Sequence, residues 1–193
     1  MAASPVRLCG LVLAAGAGTR FGGPKAFARE PDGSPWIALA VRMLTDAGCD
    51  HVLVALGASA DEAEALVPAG AAVVRVDGWR EGLSATLRAG LDAASALSAD
   101  AVLVTPVDTP SAPVEAATRV LETALAGASL SHALARAVYS ARPGHPVLIG
   151  REHWPQLRGT LTGDVGAGPY LSARAALTVE CGDLWPGQDV DRR

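Results

Sequence analysis

Aromatic residues are scarce, at 4% of 193 residues, and only 19% of the chain is charged. A chain with so little charge and 50% hydrophobic residues is not a disordered one, because it has ample apolar surface to bury. With few rings, the core must be filled by aliphatic side chains and alanine. Cysteine is limited to Cys9, Cys49 and Cys181, with no C-x-x-C pair. That excludes a disulfide framework and a thiolate metal cage, and it fits a reduced, cytoplasmic setting. Cys9 and Cys49 lie near apolar runs and read as small core residues. Positive charge is not in excess: the net charge is −4, which excludes a basic face for nucleic acid. No apolar run reaches the roughly 20 residues of a membrane span, since Gly, Arg or Asp interrupts each one. Only Arg7 precedes the first apolar run, which is weak support for a secretory signal.

What is present is a glycine-rich turn after an apolar run. Residues Leu11 to Phe27 read LVLAAGAGTRFGGPKAF. Leu8, Leu11, Val12 and Leu13 form a strand, and Gly16 and Gly18 form a turn. Arg20, Gly22, Gly23 and Lys25 follow. This order puts unpaired backbone N–H groups and two cations at the carboxyl end of a strand, where phosphates bind in open α/β sheets. The dinucleotide fingerprint G-x-G-x-x-G does not fit, because the glycines at 16, 18 and 22 are spaced G-x-G-x-x-x-G. No carboxylate ends the next strand to hold a ribose. A P-loop does not fit either, since Pro24 precedes Lys25 and Ala26 follows it.

Strand-like and helix-like stretches alternate along the chain. Strands are expected at Val6 to Leu13, His51 to Leu56, Ala71 to Val76, Ala101 to Thr105, Leu134 to Ser140, Pro146 to Gly150 and Ala176 to Cys181. A helix capped by Ser34 runs through Leu44. Others cover Asp61 to Val67, Ser84 to Ala96, Val114 to Ala126, Glu152 to Leu157 and Tyr170 to Ala175. The alternation predicts one domain over residues 1–193: an α/β, Rossmann-like three-layer α/β/α sandwich with a mainly parallel sheet. Ligands on such sheets sit beyond the strand ends. Asp108, just past the fourth apolar strand, is well placed for a hard divalent cation. Ser84 is placed to cap the helix after the third.

The first motif resembles the L-A-A-G-x-x-x-R-[MF]-G-x-x-K signature of the sugar-nucleotide and cofactor nucleotidyltransferases. It is most similar to the molybdenum cofactor cytidylyl- and guanylyltransferases. Leu13, Ala14, Ala15, Gly16, Arg20, Phe21, Gly22 and Lys25 carry the match. Further segments resemble the same family in the same order. They are Asp77 to Thr86 with Ser84, Thr105 to Pro110 with Asp108, Gly144 to Ile149 with His145, Leu161 to Ala167 with Asp164, and Gly187 to Asp191. The resemblance implies Mg²⁺-dependent transfer of a nucleoside monophosphate from a nucleoside triphosphate to a phosphorylated acceptor such as molybdopterin, with release of pyrophosphate. It assigns Arg20, Lys25 and Asp108 to catalysis. Leu13, Ala14, Ala15, Gly16, Ala17, Gly18, Lys25 and Ser84 would hold the nucleotide. Asp108 and Asp191 would hold Mg²⁺, with Asp189 in support, and His145 and Asp164 would face the acceptor. A molybdoenzyme or its chaperone is the implied protein partner.

Ala15 stands where guanylyltransferases of this family carry glycine. Its methyl group crowds a purine more than a pyrimidine and favours CTP, with GTP as the alternative. Gly168 stands where the family has arginine, with Arg174 six residues on as a substitute. The acidic segment ends in Arg192-Arg193 without the family's T-P-E-D continuation. These two departures support the alternative of a noncatalytic nucleotide-binding or cofactor-chaperone protein.

Overall fold

The computed structural model describes residues 7–192. Seven strands form one sheet in the order β3-β2-β1-β4-β6-β5-β7. They are β1 (Leu8–Ala14), β2 (His51–Leu56), β3 (Ala71–Arg75), β4 (Ala101–Pro106), β5 (Leu134–Tyr139), β6 (Arg142–Gly150) and β7 (Leu177–Glu180). Neighbours run parallel except at β6, which is antiparallel to both β4 and β5. The expected α/β sandwich with a mainly parallel sheet is therefore the fold.

Period-two alternation in the central strands feeds two separate cores. Leu8 and Val12 of β1 face α1 (Trp36–Asp46) and α4 (Val114–Leu125) through Ile37, Leu44, Val120 and Leu121. Cys9 and Leu11 face the opposite layer, made by α3 (Leu83–Ala96), α5 (Trp154–Thr160) and α6 (Gly168–Ala173). Leu11, Leu91 and Leu157 are fully buried there, and each such side chain contributes about 1.5–3 kcal/mol over leaving it in water. Gly90 lies within α3, although glycine is a poor helix former. It is the point of closest approach: a Cβ there would lie 2.4 Å from Leu11 Cδ2. All three cysteines are buried, and burial pushes the Cys9 and Cys49 thiols up to about 12.

Several element ends differ from expectation. The first strand is Leu8–Ala14, and Val6 lies outside the described residues. Ser34 does not cap α1; Pro35 precedes its first residue and fixes the entry angle. The stretch at 61–67 splits into α2 (Ala60–Ala63) and a 3₁₀ turn at Glu64–Leu66. β6 starts four residues before Pro146, because the tight Ser140–Ala141 turn pairs Tyr139 with Arg142 at once. The helix after β6 starts as a 3₁₀ turn at Arg151–His153 and continues through Thr160.

The chain leaves β1 toward β2 on one side and later returns through β4 on the other. This reversal opens a crevice at the carboxyl ends of β1 and β4, the ligand position of open α/β sheets. No helix among the described residues is long and apolar enough to cross a membrane.

Candidate functional site

The turn after β1 folds on itself. The Gly18 carbonyl accepts the N–H groups of Phe21, Gly22 and Gly23 at 2.9, 3.0 and 3.1 Å. Gly18 has φ +60, and a Cβ there would lie 1.9 Å from the Gly23 carbonyl oxygen. Glycine is thus required at 18 by the turn itself. Gly16 differs, because a Cβ on it would meet no protein atom. It faces open space in a cavity, and the amides of Gly16, Ala17 and Gly18 find no acceptor among the described residues.

That cavity measures about 1140 Å³. Leu13 through Gly18, Arg20, Lys25, Asp108, His145, Asp164 and Asp191 all line it. Of the residues to which the sequence assigns a role, Ser84 and Asp189 do not. Ser84 is fully buried within α3 and makes no capping bond, the helix instead starting after Gly82. Ser84 also accepts a long 3.5 Å contact from Arg88. Its backbone N–H donates to the Gly163 carbonyl at 3.0 Å, tying α3 to the loop that carries Asp164.

Asp108 does not make the Asx turn that its loop position allows; its carboxylate meets Lys25. The Lys25 ammonium donates to Asp108 Oδ2 at 2.7 Å and to Asp191 Oδ1 at 2.9 Å. Burial opposes the lysine charge, but these two carboxylates outweigh it and hold its pKa above the ordinary value. The Lys25 hydrogen bond in turn holds the Asp191 carboxyl below its usual range. Carboxylate oxygens of Asp108, Asp189 and Asp191 all lie within 4.8 Å of one another. Three hard oxygen donors at that spacing suit Mg²⁺ or Mn²⁺. Lys25 therefore begins as the counter-ion of the acidic cluster, a pairing that the sequence did not suggest.

The segment carrying Asp189 and Asp191 is irregular chain. It is nonetheless fixed: the Val190 N–H donates to the Asp108 carbonyl at 2.9 Å. Upstream, Arg119 binds Asp183 through two hydrogen bonds and also donates to the Glu180 carbonyl. The Trp185 ring packs edge-on against Tyr139 at 5.3 Å.

His145 enters from the start of β6, which its antiparallel course brings to the ligand edge. Tyr139 donates to its carbonyl at 2.6 Å. Burial drives the imidazole pKa down; the Val104 carbonyl and the charges of Asp108 and Asp189 only partly oppose this. Asp164 lies over Gly82, where a Cβ would come within 2.5 Å of its Oδ1. Gly168 opens α6 at the cavity wall, and a Cβ there would touch nothing. Arg174 does not take the place of an arginine at 168. Its guanidinium lies over the Tyr170 ring, 5.6 Å from the centroid, and it is not part of the cavity lining.

The sequence reading missed four lining groups: Trp79, Arg80, Thr86 and Arg136. Trp79 and Arg80 come after the third strand, the stretch that the strand-end rule pointed to. Arg80 covers the Trp79 ring at 4.4 Å. Arg136 lies in the middle of a strand, and no local signal marks it.

A mainly parallel sheet with an open glycine turn and an acidic cluster at its switch point defines a nucleotide-handling α/β protein. The family comparison is specific: residues 10–178 match the model described as "MobA-like NTP transferase domain". The chain belongs to that family and is a nucleotidyltransferase-type domain. It is 34% identical over 94% of its length to "Nicotine blue oxidoreductase" of Paenarthrobacter nicotinovorans, covering 91% of that protein. Among solved structures it is similar to a homologue of Mycobacterium tuberculosis Rv0371c from Mycobacterium sp. strain JC1. That match has 25% identity and a TM-score of 0.78, over 96% of this chain and 91% of the other. A manganese complex of Rv0371C itself, from M. tuberculosis H37Rv, matches with a TM-score of 0.69 and 22% identity over 91% and 88% of the two chains.

Proposed function

We propose that this chain transfers a nucleoside monophosphate from a nucleoside triphosphate, CTP in preference to GTP, to a phosphorylated acceptor of the molybdopterin kind. An acceptor phosphate oxygen attacks the α-phosphorus, the bond to the β-phosphate oxygen breaks, and pyrophosphate leaves. The observation that carries the reading is the meeting of Lys25 with Asp108 and Asp191 beside the unpaired amides of residues 16–18. Such chemistry asks for alignment and charge neutralisation more than for a covalent partner. The amides of Gly16 to Gly18 hold phosphate oxygens. Arg20 and Lys25 offset charge on the leaving pyrophosphate. Asp108, Asp189 and Asp191 would hold a divalent cation, Mg²⁺ in the cell, which would neutralise charge on the reacting phosphates. Once those carboxylates serve a cation, Lys25 is freed to point at phosphate. The preference for CTP rests on the Ala15 methyl group at the cavity wall.

The test is a thermal-shift screen with CTP, GTP, ATP and UTP, each with and without Mg²⁺. A ligand at a hundredfold excess over its Kd stabilises the native state by about 2.7 kcal/mol. The expected result is a metal-dependent shift with CTP above the others; no shift with any triphosphate counts against the reading. Pyrophosphate release then separates an enzyme from a noncatalytic nucleotide carrier or chaperone.

A second reading has one finding in its favour, the relative named as an oxidoreductase. In it the same cavity holds a substrate for electron transfer. The absence of a G-x-G-x-x-G turn and of a ribose-binding carboxylate weighs against a dinucleotide on the β1 turn. Oxidation of reduced nicotinamide with no pyrophosphate release would favour it.

A further inference from the structure

Two cations in the cavity stand without a direct partner among the described residues. Arg20 and Arg136 both line it, and neither makes an ion pair or a hydrogen bond with a described residue. Arg20 comes just after the glycine turn, and its charge is felt by Asp191. Arg136 belongs to a different part of the wall. It lies on β5 opposite Val147 of β6. His145, two residues before Val147, sits where the β5–β6 pairing shifts register, and it lines the same cavity. Both residues end in buried polar atoms without a partner: Nε of Arg136 and Nδ1 of His145. A buried guanidinium edge left unpaired is costly, and native proteins rarely keep one without a use for it. The surrounding wall is apolar, with Leu87, Val104, Ile149 and Leu171. Neither Gly168, which has no side chain, nor Arg174, which lies over Tyr170, supplies a cation in place of an arginine at 168.

We propose that Arg136, on the same cavity wall as His145, is the subsite for an anionic group on a second, largely apolar ligand. Calling that ligand the acceptor rests on the transferase reading; the subsite itself does not. The Nε–Nη edge of a guanidinium matches two oxygens of a phosphate monoester or a carboxylate. The apolar wall takes the body of the molecule. The glycine turn and Arg20 remain for the triphosphate, so the two substrates are recognised by separate cations.

The test uses the full chain, without nucleotide or metal, and calorimetric titration with phenyl phosphate, benzoate and phenol. The expected result is that at least one anion binds at least about tenfold more tightly than phenol, and which one does so names the oxyanion. Arg136→Met weakens that anion at least about tenfold, and Arg136→Lys by less, because the charge stays but the edge is lost. Pyrophosphate with Mg²⁺ binds Arg136→Met within about twofold of the unsubstituted protein, which excludes general damage to the fold. Three outcomes would overturn the proposal: phenol binding as well as both anions, Arg136→Met binding as the unsubstituted protein does, or the anion being lost in Arg20→Met instead. A protein that releases no pyrophosphate from any triphosphate, yet loses phenyl phosphate on Arg136→Met, fails the transferase reading and keeps this one.

Discussion

Two irregular segments bring charge to the same point, and they are built on opposite plans. The turn from Ala15 to Lys25 is closed by its own backbone, with three amides gathered on the Gly18 carbonyl. The segment from Asp183 to Asp191 has such a closure only at its start, where the Leu184 and Trp185 amides meet the Cys181 carbonyl. It is held from outside, by Arg119 on α4, by the Tyr139 ring and by the Asp108 carbonyl. A locally closed turn is specified by nearby residues and survives changes elsewhere. A segment held from outside depends on each distant partner. The acidic half of the site is therefore the more fragile one.

The strongest challenge to that comparison is removal of the charges where the two segments meet. Lys25→Ala or Asp108→Ala should lower turnover at least roughly tenfold, about 1.4 kcal/mol of barrier, in a pyrophosphate-release assay. Near-normal turnover in either variant would show that the meeting point is structural only.

Next is the closed turn. Gly18→Ala places a side chain at φ +60 against the Gly23 carbonyl. It should cost about 1–3 kcal/mol in chemical denaturation and abolish the nucleotide-dependent thermal shift. If stability and nucleotide binding both persist, the turn is not self-determined.

A milder effect is expected on the other side. Asp183→Asn removes the charge that fixes the carboxyl-terminal segment through Arg119. Mn²⁺ affinity, measured by electron paramagnetic resonance, should fall several-fold while the melting temperature barely moves, because the pair is exposed. An unchanged affinity would mean that the Val190–Asp108 bond suffices alone.

The smallest effect concerns pH. The folded protein holds His145 below the ordinary histidine value of 6.5, so the unfolded chain takes up the proton more readily. Stability should therefore decline as pH falls below 6.5, and His145→Gln should flatten that part of the curve. Asp191 is held below its ordinary 3.8. Its contribution is present above that value and is lost as pH falls through the lower, folded pKa. The urea midpoint measured between pH 8 and pH 3 reports both.

The same contrast explains how much the sequence revealed. The alternation of strands and helices, the turn after β1 and the position of Asp108 rest on local pattern, and they were legible at once. Asp189 and Asp191 were legible as a motif, but not as a segment tied down by Arg119 and Tyr139, whose contacts span tens of residues. Ser84 misled because a serine before an apolar run reads as a cap, whereas tertiary packing buried it one residue inside α3. Arg136 was invisible, since a lone arginine inside a strand looks like any solvated residue until the neighbouring strand is in place. The strand-end rule also reaches only residues just beyond a parallel strand. β6 runs the other way, so its first residues, not those after its end, reach the ligand edge, and only a family resemblance pointed to His145.

Tyr139 has one more consequence. A Cβ at Gly144 would lie 2.6 Å from its ring, and one at Gly187 only 2.2 Å from it. The two glycines are 43 positions apart in the chain, yet the same ring limits both. Positions 139, 144 and 187 are thus a single mutational unit. A larger residue at 144 becomes tolerable only alongside a smaller one at 139, whereas at 187, where φ is +70, a side chain stays strained even then. Changes in the β5–β6 hairpin are thereby coupled, through one ring, to the segment that carries Asp189 and Asp191.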